Sequence, residues 1–204
     1  MEQTGHAADI FLVVRLRLTI LVLAAVLGAL SLPGLAVAAK KPTTSKKATP
    51  KGPTAKQIKA AVKNAERSPD LWATVNQCTS NATVPPGDVV GIRGQMPGLG
   101  FTTTMIMDIS VEYWNYTDSM FESAGASTTI SLGKGEHGAH QGGVNFPFQP
   151  PAVGYQFLVR GTITFEWKLG SKVLAKVTHA TGHGYPNVSF SNPPGFTAGT
   201  CTLT

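Results

Sequence analysis

Two stretches of the chain alternate apolar and polar residues with period two, and they set the reading of the rest. In residues 105–114, Met107, Ile109, Val111 and Tyr113 fall on one side and Asp108, Ser110 and Glu112 on the other. In residues 155–167, Tyr155, Phe157, Val159, Ile163, Phe165 and Trp167 oppose Gln156, Arg160, Thr162, Thr164 and Glu166. Such alternation marks strands with one buried and one wet face. Leu169-Gly170-Ser171-Lys172 then turns the chain into residues 173–178, which makes a hairpin. Shorter strands are expected over 71–78, 89–96, 127–132, 144–148, 187–190 and 199–203. Ahead of them the period is 3.6: over residues 54–68, Thr54 can cap a helix, Ile58, Ala61, Val62 and Ala65 share a face, and Pro69 forces the end. The pattern predicts one short helix and then an all-β antiparallel β-sandwich over residues 69–204.

The N-terminal third follows neither period. Leu18 to Leu32 is a charge-free apolar run of 15 residues, preceded by Arg15 and Arg17 and followed by Ala36-Val37-Ala38-Ala39. This is the layout of a signal peptide over residues 1–39, with cleavage near Ala38. A spanning helix needs about 20 apolar residues, which favours cleavage over retention as an anchor. An anchor is the alternative, because Phe11 to Val14 are apolar too. Residues 40–53 form a Lys/Pro/Thr-rich linker with too little apolar surface to order itself. It reads either as a solvated spacer or as an electrostatic contact with membrane headgroups or acidic wall polymers. The expected location is therefore secreted or associated with the cell envelope.

Charge sharpens that division. Residues 40–59 hold seven lysines and no acid, whereas residues 70–204 hold six basic residues against eight acidic ones. The formal charge of +6 thus belongs to the linker, and no basic face for nucleic acid is expected on the fold. Cys78 and Cys201 are the only cysteines, and in an oxidising compartment such a pair most simply forms one disulfide. No cofactor is implied, and a monomer is expected.

Within the β region, Pro150-Pro151-Ala152-Val153-Gly154-Tyr155-Gln156-Phe157 resembles the tyrosine corner of immunoglobulin-like and fibronectin type III domains, and Trp114 falls where such folds place a core tryptophan. The cysteines depart from the immunoglobulin pattern, since they sit near the two ends of the domain. Residues 71–201 are also similar to uncharacterised exported proteins of actinobacteria. The similarity is carried by Leu71-Trp-Ala-Thr-Val-Asn-Gln-Cys78, Gly91-Ile-Arg-Gly-Gln-Met-Pro-Gly98, Arg160 to Trp167 and Gly195-Phe-Thr-Ala-Gly-Thr-Cys201. It implies an exported β-sandwich and no particular activity.

Candidate chemistry is sparse. Two histidine pairs, His137 with His140 and His179 with His183, would make a four-nitrogen copper or zinc site if their Gly-rich segments met. The competing reading is that they are solvated loop residues. Ser131-Leu-Gly-Lys134 matches S-x-x-K but lacks its companion K-T-G and S-D-N elements and a helix to hold Ser and Lys one turn apart. No catalytic residues are therefore assigned, and the chain is expected not to be an enzyme. Trp114, Tyr116, Phe121, Phe146, Phe148 and Tyr185 are candidate binding-loop aromatics, because rigid sandwiches bind through their loops. The leading expectation is an exported, non-catalytic envelope module whose partner is a protein or a polysaccharide; the alternative is a secreted copper- or zinc-binding protein.

Overall fold

A computed structural model describes residues 52–80 and 87–204. The expected leader, residues 1–39, and linker residues 40–51 lie outside the described residues. Helix α1 (Ala55–Ala65) starts where Thr54 caps it: the Gln57 amide donates to Thr54 Oγ1 at 3.4 Å and the Thr54 amide donates to Gln57 Oε1 at 2.8 Å. This reciprocal box satisfies two otherwise orphaned donors. Among the described residues no helix is long and apolar enough to cross a membrane.

Among the described residues eight strands follow: β1 (Trp72–Thr79), β2 (Asp88–Pro97), β3 (Thr103–Asn115), β4 (Met120–Gly135), β5 (Ala139–Phe148), β6 (Phe157–Leu169), β7 (Lys172–Ala180) and β8 (Cys201–Leu203). They form two antiparallel sheets, one in the order β1-β2-β5 and the other β4-β3-β6-β7, with β8 pairing the start of β6 on its β7 side. Lettered in chain order, this is ABE facing C′CFG, an immunoglobulin-like sandwich.

The two halves of the core interlock through glycines. A Cβ on Gly94 of β2 would lie 2.7 Å from Ile163 Cδ1, and one on Gly161 of β6 would lie 2.6 Å from Ile92 Cδ1. Each sheet thus leaves a notch for a branched side chain of the other. Met105, Met107, Ile109 and Val111 of β3 and Ile163, Phe165 and Trp167 of β6 are fully buried between the sheets, as their alternation requires. Trp167 finds a partner for its indole N–H in the Pro97 carbonyl at 2.9 Å.

Several expectations are corrected. The core tryptophan is Trp167, while Trp114 at the end of β3 is half-buried against Phe121. Tyr155 stands at the corner position but is 69% exposed, so it is no tyrosine corner. Residues 187–190 are not a strand; Asn187 and Phe190 adopt left-handed backbone, at φ 56° and 55°, which no strand tolerates. β4 is far longer than 127–132, because pairing with β3 overrides the weak strand preference of its Gly, Ser and Ala.

The disulfide joins Cys78 on β1 to Cys201 on β8, with Cα atoms 5.5 Å apart and a sequence separation of 123. It fits an oxidising compartment. Closing so long a loop stabilises by about 4–5 kcal/mol in the chain-entropy picture. The double variant Cys78→Ser/Cys201→Ser should therefore lose at least about 2 kcal/mol, read as a lower urea midpoint. An unchanged midpoint would contradict the bridge's structural role.

Glu166, expected on a wet face, is buried between Lys176 Nζ at 2.5 Å and Lys168 Nζ at 3.2 Å. The hydrogen bond from Lys176, aided by Lys168, holds its carboxyl below the usual carboxylate range despite burial. A depressed carboxylate contributes stability that is present above its unfolded pKa and disappears as pH falls through the folded one. Glu166→Gln should accordingly lower the melting temperature at pH 7 and lose most of that deficit at pH 3. An equal deficit at both pH values would refute the ion-pair explanation.

Candidate binding face on the three-stranded sheet

The link between β7 and β8, residues 181–200, is too long for a simple connection, and long ordered loops in compact domains are commonly functional. It is strapped to the outside of β1. Along the free edge of that strand, the Gly182 amide donates to the Ala73 carbonyl at 2.8 Å, the Asn192 amide to the Asn76 carbonyl at 2.8 Å, and Val75 and Ala198 exchange a pair of bonds at 2.9 and 3.0 Å. These bonds use donors and acceptors that an edge strand otherwise leaves open. The strap then folds over the outer face. Tyr185 stacks on Trp72 at 5.0 Å between centroids, and Gln141 of β5 donates to the Asn187 carbonyl at 3.0 Å while accepting from the Ser189 amide at 2.9 Å.

Strand register fixes what lies on this face. Gln95 sits between Trp72 and Gln141, Arg93 between Thr74 and Gly143, and Gly91 between Gln77 and Asn145. The surface is a row of amides with one cation at its centre and, at one end, Asp70, whose Oδ1 accepts from Gln95 Nε2 at 3.3 Å. Gln141 Nε2 donates to Gln95 Oε1 at 3.0 Å, and Asn145 Nδ2 donates to Gln77 Oε1 at 3.2 Å. Asn76, 2% exposed, donates through Nδ2 to the Phe190 carbonyl at 2.8 Å. Over Gly91 the carbonyl oxygens of Asn145 and Asn76 close in, lying 2.7 and 2.8 Å from where a Cβ would stand. Only glycine leaves that space.

Arg93 is the unusual residue. Its Cζ lies 5.0 Å from the centroid of the Phe190 ring, and its Nε is buried without a hydrogen-bond partner. Burial alone pushes its pKa down. Arg160, on the other sheet, shows the ordinary solution: it lies 3.9 Å from the Phe121 centroid and also binds Glu112 Oε2 at 2.6 Å. Among the described residues Arg93 has no such carboxylate. Phe190 itself is 85% exposed and held in left-handed backbone, a strained state for a bulky side chain that persists only where its surroundings enforce it.

The other candidates are distributed differently. Phe146 is a core residue on β5, 8% exposed, because it faces inward opposite Val90. Phe148, also on β5, lines an open apolar recess of about 320 Å³ with Tyr113, Phe157, Val159 and Leu203. Trp114 and Phe121 pack edge to face at 5.0 Å, leaving Tyr116 as the exposed member of that group at 62%. Tyr185 alone belongs to the strapped face. Arg93, Asn76, Asn145 and Phe190 were not singled out from the sequence; the one cue is an arginine flanked closely by glycines, Gly91-Ile92-Arg93-Gly94, inside a strand.

The histidines do not assemble. His140 lies on β5 of the small sheet with Nε2 3.2 Å from the His137 carbonyl, and His137 is exposed beside Glu136 at 3.1 Å. His179 lies on β7 of the other sheet, edge-on to Phe165 at 5.9 Å, and His183 is exposed beyond it. Among the described residues no three His, Cys, Asp or Glu side chains come together in a metal-holding group. The expected four-histidine copper or zinc site does not form among the described residues: His140 and His179 stand on strands of different sheets, and His137 and His183 lie in loops. Ser131 and Lys134 lie on strand β4, where Ser131 Oγ accepts from the Gly133 amide at 3.2 Å. The chain matches no protein-family model, and comparison with curated proteins gives no match.

Burial against Phe165 pushes the His179 pKa below that of free histidine. In an NMR titration, His179 should titrate below about 6.5. Its neutral form then contributes stability above that value, which is lost as pH falls through the folded pKa. A midpoint at or above the free value would contradict this placement.

Proposed function

We propose that this chain is an exported, non-catalytic module of the cell envelope that binds a polysaccharide or another protein through the strapped face of its small sheet. The observation that carries the reading is Phe190, a large aromatic held exposed in strained backbone over a cation that has no carboxylate partner among the described residues. An aromatic whose ring faces water contributes little to folding, whereas rigid exposed aromatics supply much of the contact energy at binding surfaces. The amides of Gln77, Gln95, Gln141 and Asn145 around it offer both donors and acceptors, which suits a polar partner. The resemblance to exported actinobacterial proteins, the signal-peptide layout and the lysine-rich linker support an envelope location. In that setting the linker keeps the sandwich close to anionic surfaces while the folded domain holds the partner.

Sedimentation with insoluble cell-wall material tests the reading at physiological salt, where the linker's lysines are partly screened. Phe190→Ala should lower the bound fraction at least about fivefold, since truncating an aromatic anchor costs 1 kcal/mol or more, and leave the melting temperature within a degree or two. Undiminished sedimentation of the variant would refute the assignment of this face.

A further inference from the structure

From the arrangement around Arg93 we infer that the strapped face binds the carboxylate of an acidic sugar unit, a uronic acid within an anionic polysaccharide. This deepens the binding-module reading and rests on it. Three features, all on one face, define the ligand. The Arg93 guanidinium makes no hydrogen bond or ion pair among the described residues, and its Nε is buried. A partly desolvated cation without a counter-ion is costly unless something binds it, and a guanidinium matches a carboxylate in a planar, two-bond fit. Two residues along β2, about 7 Å away at ordinary strand rise, the carbonyl oxygens of Asn76 and Asn145 converge over Gly91. Asn76 is buried and held by the Phe190 carbonyl, whereas Asn145 is exposed and already donates to Gln77 Oε1, so what faces the ligand there is the Asn145 acceptor.

A ligand must therefore present an anion at one end and a hydrogen-bond donor at the other, separated by roughly the width of one pyranose ring. A uronate does so: its carboxylate meets Arg93 and a ring hydroxyl meets the exposed Asn145. Phe190, whose ring is 85% exposed beside Arg93, supplies a flat surface for the apolar face of the sugar. An ammonium would satisfy Asn145 as well, but the carboxylate at this face, Asp70, is bonded to Gln95 at 3.3 Å, four residues along β2 from Gly91. Gly143 leaves room beside Arg93, since a Cβ there would press on Arg93 Cβ at 3.1 Å.

Calorimetric titration of the purified protein with tetragalacturonate and with its neutral methyl ester, at about 0.15 M salt to screen the lysines, tests the inference. The acid should bind at least about tenfold more tightly than the ester. Arg93→Gln should erase that preference, since a charge-assisted bond of this type is worth a factor of about ten or more. The same variant should melt no lower than the native protein, because it removes an unpaired desolvated charge. Equal affinity for acid and ester, no heat with the acid at millimolar concentration, or a preference that survives Arg93→Gln would each overturn the inference. Wall sedimentation that still depends on Phe190 in any of those cases would leave the binding-module reading standing and only its acidic-sugar specificity refuted.

Discussion

β1 is buried on both of its faces, and much of the architecture follows from that. Ala73 and Val75 point into the sandwich core and are fully buried, as any inner strand position would be. Trp72, Thr74 and Asn76 point outward and are 2% exposed or less, because residues 181–200 lie over them. An outward Trp72 in water would sacrifice a large apolar surface, worth about 2–3 kcal/mol for a side chain of this kind, and an outward Asn76 under a cover needs partners for its amide. The strap meets both needs, with Tyr185 against the indole and the Phe190 carbonyl on Asn76 Nδ2. It also occupies the free edge of β1 that would otherwise invite pairing with another chain. The disulfide acts at the same place, since Cys78 ends the strand that the strap covers and Cys201 begins the strand into which the strap leads.

What the strap constructs is a polar surface that solvent does not fully satisfy. Glu166 shows that this fold can bury a charge and compensate it completely, with two lysines on one carboxylate. Arg160 does the same with Glu112. Against those two solved cases, Arg93, with no carboxylate partner among the described residues, is a cost accepted at one position, and such departures concentrate at functional sites. The left-handed backbone of Phe190 belongs to the same pattern: strain and exposure coincide beside the unpaired cation.

The framework was legible wherever burial is one-sided. Alternation in β3 and β6 located both strands to within two residues at each end, the Thr54 cap located the start of α1, and the isolated cysteine pair located the bridge. β4 was half seen, since its Gly-, Ser- and Ala-rich start becomes a strand only through pairing with β3. The candidate face was nearly invisible. Leu71 to Cys78 does not alternate because both faces are covered, which in sequence looks like an ordinary buried strand. The strap has no period at all, and its Asn187 to Phe190 segment mimics a short strand while holding two residues in left-handed backbone. Nor can a sequence reveal that Arg93 has no carboxylate partner among the described residues, because the partners of Arg160 and Glu166 come from neighbouring strands brought together by the fold.

Everything here depends on the strap being part of the folded domain and not a loop resting on it. Native-state amide hydrogen exchange measures that directly at the amides of Gly182, Ser189, Asn192 and Ala198, which donate to Ala73, Gln141, Asn76 and Val75. If the strap is a third layer of the fold, these four exchange slowly and with opening energies approaching those of β1 itself. Exchange at the rate of an open loop, with β1 still protected, would show that the face around Arg93 is not built by the fold.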